Sequence, residues 1–355
     1  MCRGLERRET FDAAVRIEIN SLFGCVLQEV SMKPINMAIL GCGAIAKRMA
    51  AAIPLCPEVT AYAAAARDAQ RAEQFARDYG FAKAYGSYEA LLADPAVELV
   101  YIAVPHALHS ACALMCLRAG KNIVVEKPFT ANYAQAKEAI DLAREKHLLA
   151  AEGIWMRYLP NLSNIVKACR QGMIGNVKML TGEIGYHLTQ ERLFDPAMAG
   201  GALLDVGVYA VSLAGLLFGY DVEKVASCAV LTDRGVDETN SFVLQYSGGR
   251  QCSMSTSMAQ MSSCRGTIWG DAGFMDISNV NSMGVVTVYD GDQNQITCFA
   301  NPKVDNSYVY ELRSLVKALR EGRLDTPESP HEEILKRTAL MDTIRGQWGM
   351  TYPFE

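Results

Sequence analysis

The stretch Met37-Ala38-Ile39-Leu40-Gly41-Cys42-Gly43-Ala44-Ile45-Ala46 decides the fold. Its first four residues are apolar and make a short buried strand. Two glycines then interrupt the strand, and a helix-forming run continues to Ile53, where Pro54 stops it. A G-x-G-x-x-A pattern between a strand and a helix is the context in which a glycine turn holds a dinucleotide. Gly41 permits the tight turn, Gly43 lets the backbone approach a pyrophosphate, and Ala46 allows close helix packing. The turn from Cys42 through Ala44 and Ile45 offers N–H groups and a partial positive charge to phosphates.

Outward from this turn, apolar strands alternate with helices. Strands are expected at residues 59–66, 99–104, 122–125 and 148–151. Helices are expected at 69–79 (with Asp68 as N-cap), at 107–119 (stopped by Gly120) and at 131–146. Strands that are apolar throughout belong to a parallel sheet covered on both faces. The chain therefore reads as α/β. A doubly wound Rossmann domain spans 32–153, and a second domain spans 154–355.

Ligands of such sheets bind at the carboxyl ends of the strands. The second strand ends Ala64-Ala65-Ala66-Arg67. An NAD enzyme places Asp or Glu at this tip, whereas Arg67 can pair with a 2′-phosphate, so NADP is favoured over NAD. Two further strand ends carry polar groups: Val104-Pro105-His106 with His109, and Glu126-Lys127-Pro128. Burial and a neighbouring nicotinamide cation would both lower the Lys127 pKa, so that it could share a proton with a substrate hydroxyl. Its Lys–Pro bond is a candidate cis peptide. Within Gly200-Gly201-Ala202-Leu203-Leu204-Asp205-Val206-Gly207-Val208-Tyr209, Asp205 and Tyr209 lie four apart and share one helix face. There Asp205 would orient a hydroxyl, and Tyr209, with its pKa lowered by Lys127, would exchange the proton.

Composition narrows the class. The 355 residues, half of them hydrophobic, suit two cores. Thirty-four Lys and Arg against 39 Asp and Glu give a net charge of −5, with no basic run for nucleic acid or an anionic membrane. Eleven cysteines without a CxxC pair read as reduced thiols of a cytoplasmic protein, with no metal site. The apolar stretch 200–219 approaches membrane-spanning length, but Asp205 and several glycines mark it as a buried helix. Residues 1–31 are expected to be an extension ahead of a start at Met32. The Gln28-Glu29-Val30 codons can form a purine-rich ribosome-binding sequence.

The second half changes period. Alternating strands at 177–186, 225–231, 241–246, 251–258, 265–269 and 285–289, with hairpin turns at 246–250 and 289–292, suggest an open, mainly antiparallel sheet. Helices at 161–170, 202–218, 306–321 and 332–347 would cover one face. Serines 253, 255 and 257 alternate with Cys252, Met254, Thr256 and Met258. A face of small residues and methionines suits packing against a second copy, giving a homodimer.

Taken together, GCGAIA, AARDAQRAEQFA, KAYGSYEALLADP, VEKP and GGALLDVGVY resemble the glucose-fructose oxidoreductase/inositol dehydrogenase (Gfo/Idh/MocA) family, most closely its dihydrodiol and NADP-dependent D-xylose dehydrogenase branch. The resemblance implies hydride transfer between NADP(H) and a sugar, cyclic polyol or vicinal diol. It implies Lys127 and Tyr209 as the catalytic pair, Arg67 as the 2′-phosphate ligand, His109 as a positioning residue, and Trp155 and Arg157 near the cofactor and substrate mouth. Many members have His where this chain has Tyr209, and a Thr/Gln-Pro-Asn-type turn where it has Val104-Pro105-His106. Two rival readings stay open: an NAD-dependent inositol or glucoside dehydrogenase, and a non-catalytic cofactor sensor on the same fold.

Overall fold

The computed structural model describes residues 33–355. The 1–31 extension and the proposed start at Met32 lie outside the described residues. Strands β1 (Ile35–Leu40), β2 (Val59–Ala65), β3 (Lys83–Tyr85), β4 (Leu99–Ile102), β5 (Asn122–Glu126) and β6 (Ala150–Gly153) form one sheet in the order β3-β2-β1-β4-β5-β6. Every neighbouring pair is parallel. The order reverses at β1, which opens a crevice at the carboxyl ends of β1 and β4. Met37 and Ile39 enter the core on one face of the sheet, and Ala38 and Leu40 enter the core on the other. All four are fully buried, so the strand shows no polar alternation in its sequence.

Helices α1 (Ala44–Ala52), α2 (Ala69–Tyr79), α3 (Tyr88–Leu92), α4 (His109–Arg118) and α5 (Tyr133–Glu145) accompany these strands. Asp68 caps α2 as expected, accepting from the Gln70 and Arg71 N–H groups at 2.9 and 3.4 Å. Asn132 caps α5 through the Gln135 N–H at 3.0 Å, which moves the helix start two residues past 131. The short β3 and α3 were not expected: three and five residues carry too little pattern to read.

The second sheet is built from β7 (Val177–Gly185), β8 (Val222–Leu231), β9 (Asp237–Tyr246), β10 (Arg250–Ser257), β11 (Gly266–Gly270), β12 (Gly273–Ile277), β13 (Val286–Asp290) and β14 (Gln295–Phe299). Its order is β14-β13-β12-β11-β7-β10-β9-β8. Only β7 and β10 run parallel, so the sheet is mixed and mostly antiparallel. Helices α6 (Pro160–Arg170) and α7 (Val208–Phe218) pack on one face. Here one expectation is corrected. Cys252, Met254 and Met258 point into this chain's own core, while Ser253 and Ser255 line the opposite face. That open face is a ladder of small hydroxyls, with Ser241 and Ser255 hydrogen-bonded at 2.8 Å across β9 and β10.

A second correction concerns α8 (Tyr308–Arg320). It was expected to cover the second sheet, yet Val309, Leu312, Leu315 and Val316 pack into the core of the parallel sheet. The last helix, α9 (His331–Gly346), places Ile334 and Leu335 against the first sheet, and Leu340, Met341 and Ile344 in the core of the second. Helical period alone marks an apolar stripe without naming the surface it meets. Within the apolar segment Pro196–Phe218, an 18-residue window has a mean hydropathy of 1.8, and 89% of that window is buried inside the fold. Its length and composition would also suit a membrane span, but here its side chains form the second core.

Candidate active site

A cleft of about 610 Å³ opens at the carboxyl ends of β1, β2, β4 and β5. On the far side it is bounded by Gln190, Arg192 and Asp205. Its volume suits a small-molecule or cofactor site. The glycine turn forms one wall. Gly41 has φ +99°, and a Cβ there would sit 2.6 Å from the Ala103 carbonyl oxygen, so only glycine fits. Apart from its chain neighbours, a Cβ on Gly43 would meet only the Ala103 carbonyl oxygen, at 3.9 Å, so the protein leaves the space above the turn clear. Helix α1 begins at this point with no side-chain cap and no acidic residue in its first turn. Uncapped N–H groups at the end of a nine-residue helix are a fit for a pyrophosphate. Cys42, Ala44 and Ile45 line the same wall, while Ala46 is buried against the sheet.

Arg67 stands at the tip of β2 and lines the cleft, exposed. Arg71, one helical turn on, lies beside it and donates to the Cys42 carbonyl at 3.0 Å. Sequence reasoning missed Arg71, although its i+4 spacing from Arg67 was a legible signal. It also missed Arg48, Tyr88, Gln190 and Arg192, which tertiary folding alone brings to the cleft. Two exposed guanidiniums at this end can hold a phosphate oxygen set bidentately.

The other end is buried. The Lys127–Pro128 peptide is cis. Lys127 Nζ donates to the Asp205 main-chain oxygen at 2.5 Å and to its carboxylate at 3.1 Å, and stands 5.2 Å from the centre of the Tyr209 ring. Trp155 Nε1 donates to the Tyr209 oxygen at 3.1 Å, and the Trp155 ring stacks on Tyr308 at 6.0 Å. Residues of the two sheets' layers thus meet at one point: Lys127 follows β5, and Tyr209 lies on α7. Asp205 and Tyr209 do not share a regular α-helical face, because Leu203–Gly207 is a wider π-helical turn. Such turns recur at functional sites, and this one still brings both side chains to Lys127.

The electrostatics correct two expectations. Burial disfavours charge on Lys127, but Asp205, Tyr209 and Glu126 outweigh it and hold the ammonium above its ordinary range. Burial also lifts the Tyr209 phenol above its usual value, and Lys127 opposes this only in part. Both groups are therefore protonated at neutral pH in this state. Asp205 is lowered: burial raises it, but Lys127 and His106 more than compensate. Burial pushes Glu126 up to about 7. Glu126 accepts from the Tyr101 hydroxyl in a short hydrogen bond and from the Lys127 N–H at 3.1 Å.

Val104 and Pro105 line the cleft with His106 and His109. His106 places Nδ1 at 3.0 Å from the Ala199 carbonyl oxygen and Nε2 at 3.6 Å from the Asp205 carboxylate. His109 lies between the Pro128 and Val104 carbonyl oxygens at 2.7 and 2.9 Å. Burial lowers them to about 3 and about 4, so both are neutral. A neutral His109 ring donates to one of its two carbonyls and so ties the β4 loop to the turn after Lys127. Arg157 corrects a further expectation. It does not reach the mouth of the cleft; its side chain is buried, donating to the Glu328 carbonyl at 2.6 Å and pairing with Glu333 at 2.5 Å. A guanidinium that close to a carboxylate, inside the fold, is committed to holding α9 in place.

Two family models match the chain: the oxidoreductase family with a NAD-binding Rossmann fold over residues 35–154, and the GFO/IDH/MocA C-terminal domain over residues 163–276. The chain belongs to the GFO/IDH/MocA oxidoreductase family. Among its relatives, human trans-1,2-dihydrobenzene-1,2-diol dehydrogenase is 32% identical over 328 residues, covering 90% of this chain and 98% of that one. A 3-ketoreductase from Actinomadura kijaniata, solved with NADP and TDP-benzene, is 27% identical with a TM-score of 0.81, over 88% of this chain and 98% of that one. The aldose-aldose oxidoreductase of Caulobacter crescentus has the same fold, with a TM-score of 0.81 at 21% identity over 89% of this chain and 98% of that one. The family assignment accounts for the glycine turn and for the sheet order. As a GFO/IDH/MocA oxidoreductase the chain is an enzyme, and the sensor reading falls.

Proposed function

We propose that the protein transfers a hydride between NADP(H) and a secondary hydroxyl of a sugar, cyclic polyol or vicinal diol, with Lys127 and Tyr209 handling the proton. The observation that carries this reading is the convergence of Lys127 Nζ on the Tyr209 ring at 5.2 Å, beside a glycine turn built for a pyrophosphate. The relatives' names supply the substrate class: a dihydrodiol dehydrogenase and a ketoreductase solved with NADP. Arg67 and Arg71 support NADP over NAD.

Bound nicotinamide gives or takes the hydride at the reacting carbon. The chain's own groups then move one proton. Trp155 occupies a lone pair of the Tyr209 oxygen as a donor, so the phenol's own O–H is directed to another acceptor. Among the described residues none takes it, and a substrate oxygen in the cleft can. In the reducing direction Tyr209 protonates the carbonyl oxygen as the hydride arrives, and the Lys127 ammonium stabilises the phenolate left behind. In the oxidising direction Tyr209 first gives its proton to solvent, and its phenolate, stabilised by the Lys127 ammonium, takes the hydroxyl proton as the hydride leaves. Asp205 holds Lys127 in place through two hydrogen bonds. A panel of pentoses, hexoses, inositols and diols with NADP and with NAD, followed by reduced-cofactor absorbance, tests the reading. NADP-dependent turnover of polyols is expected. Turnover with NAD alone would restore the inositol or glucoside dehydrogenase reading.

We also read the protein as a cytoplasmic homodimer. The open hydroxyl-lined face of the second sheet, with the Trp269 ring tilted against Phe274 at 5.0 Å, supports a second copy as its cover. The described cysteines are all free thiols, which supports a reducing compartment. Light scattering at micromolar concentration should give twice the chain mass; a monomer would contradict it.

A further inference from the structure

The segment between β7 and the π-helical turn carries two acids and one arginine with different fates. Glu191 and Asp195 are occupied by Arg234, at 4.0 and 2.9 Å. Arg192, between them in sequence, lines the cleft instead, and among the described residues it has no ion pair and no side-chain hydrogen bond. It stands at the chemical end: its charge bears on Asp205, His106 and His109. Arg67, by contrast, bears on Tyr88 and Cys112 at the opposite end. The cleft lining carries five cations, Arg48, Arg67, Arg71, Lys127 and Arg192, against three carboxylates, Asp68, Glu126 and Asp205. The three carboxylates are already engaged, since Asp68 caps α2, Glu126 accepts from Tyr101, and Asp205 pairs with Lys127. The phosphates of a dinucleotide are served by the uncapped start of α1 and by Arg67 and Arg71. Among the described residues that leaves Arg48 and Arg192 exposed, with no ion pair and no side-chain hydrogen bond; Arg48 bears on Tyr308, which stacks on Trp155, whereas Arg192 is the one that bears on Asp205.

We infer that Arg192 is a specificity-determining residue that binds an anionic group on the substrate, so that the preferred substrate is a hydroxy compound bearing a carboxylate or phosphate, such as a uronic acid or a sugar phosphate. This rests on the dehydrogenase reading above. The planar guanidinium matches both anions bidentately, and Arg192 lines the far side of the cleft together with Gln190 and Asp205. The nearby Lys127–Asp205 pair is internally neutral, so Arg192 is the group in that part of the cleft with charge to spare.

Steady-state rates with NADP and four probes test it: D-glucuronate, glucose 6-phosphate, D-glucose and D-xylose. The kcat/KM for one of the charged probes should exceed that for its neutral counterpart by about 10- to 100-fold, the worth of a hydrogen bond to a charged group. Whichever charged probe wins separates carboxylate from phosphate. In Arg192→Gln that preference should collapse through KM, and Arg192→Lys should restore part of it. Thermal unfolding supplies a second readout: the preferred anion should raise Tm in the wild type and fail to do so in Arg192→Gln. Neutral polyols turned over as well as charged ones, or a KM rise in Arg192→Gln confined to NADP, would overturn the assignment and leave the dehydrogenase reading intact. Arg192-dependent protection by an anion with no polyol turned over would do the reverse.

Discussion

The two ends of the cleft are built on opposite physical plans. At the end beneath β2, Arg67 and Arg71 are exposed, supported by one helix cap and one carbonyl contact. At the end after β5, Lys127, Asp205, Tyr209 and Trp155 are interlocked, and behind them Glu126 and Glu311 are buried. Water screens the first set, so each contact there is worth little by itself and depends on salt. Burial magnifies the second set, where every unpaired group is costly and every pKa moves. An exposed site can be read as a list of charges. A buried site has to be read as a network.

The largest expected effect tests whether the network is the chemical end. Lys127→Met should lower kcat by about 10³-fold, in the range of general acid–base catalysis, with NADPH binding by fluorescence retained. A loss confined to KM would move the chemistry elsewhere. Tyr209→Phe removes the proton carrier and one hydrogen bond from Trp155; kcat should fall about 10²-fold, and a circular-dichroism melt should show the fold intact.

The contrast in burial can be sharpened with pH. Glu311 has neither carboxyl oxygen hydrogen-bonded, and burial holds its pKa well above the ordinary range. The folded protein therefore keeps a proton that the unfolded chain releases above about pH 4.5. Stability should then fall as pH rises from that value, by roughly 1.4 kcal/mol per unit for one proton. Glu126, at about 7 in the folded state, adds to the fall only up to that pH. In Glu311→Gln the slope of Tm between pH 5 and 8 should flatten, and an unchanged slope would mean that this end is wetter than its geometry.

The smallest effect belongs to the exposed end. Arg67→Ala should raise KM for NADP roughly fivefold, as for an exposed ion pair, with less change for NAD and a difference that shrinks in high salt. Equal effects on the two cofactors would place the 2′-phosphate away from β2.

The first sheet was legible because strand, glycine turn and helix are local patterns: the chemistry of residues 37–46 specifies a turn and an uncapped helix start wherever the chain goes. Lys127, Tyr209 and Asp205 were legible as polar groups inside apolar runs, since burial of such groups needs a reason. Their protonation was misjudged, because a pKa is set by neighbours on other elements. Burial outweighed Lys127 at Tyr209, and Asp205 with its fellow anions outweighed burial at Lys127. Arg157 was placed at the mouth by resemblance, yet the fold commits it to Glu328 and Glu333.

By itself the sequence determined the alternation of elements, the dinucleotide turn and the residue types available for proton transfer, all properties of neighbours within a few positions. Only the tertiary structure decided which helices cover which sheet, which arginines face the cleft and which groups hold their protons. These depend on contacts between residues far apart in the chain, where no local period carries information.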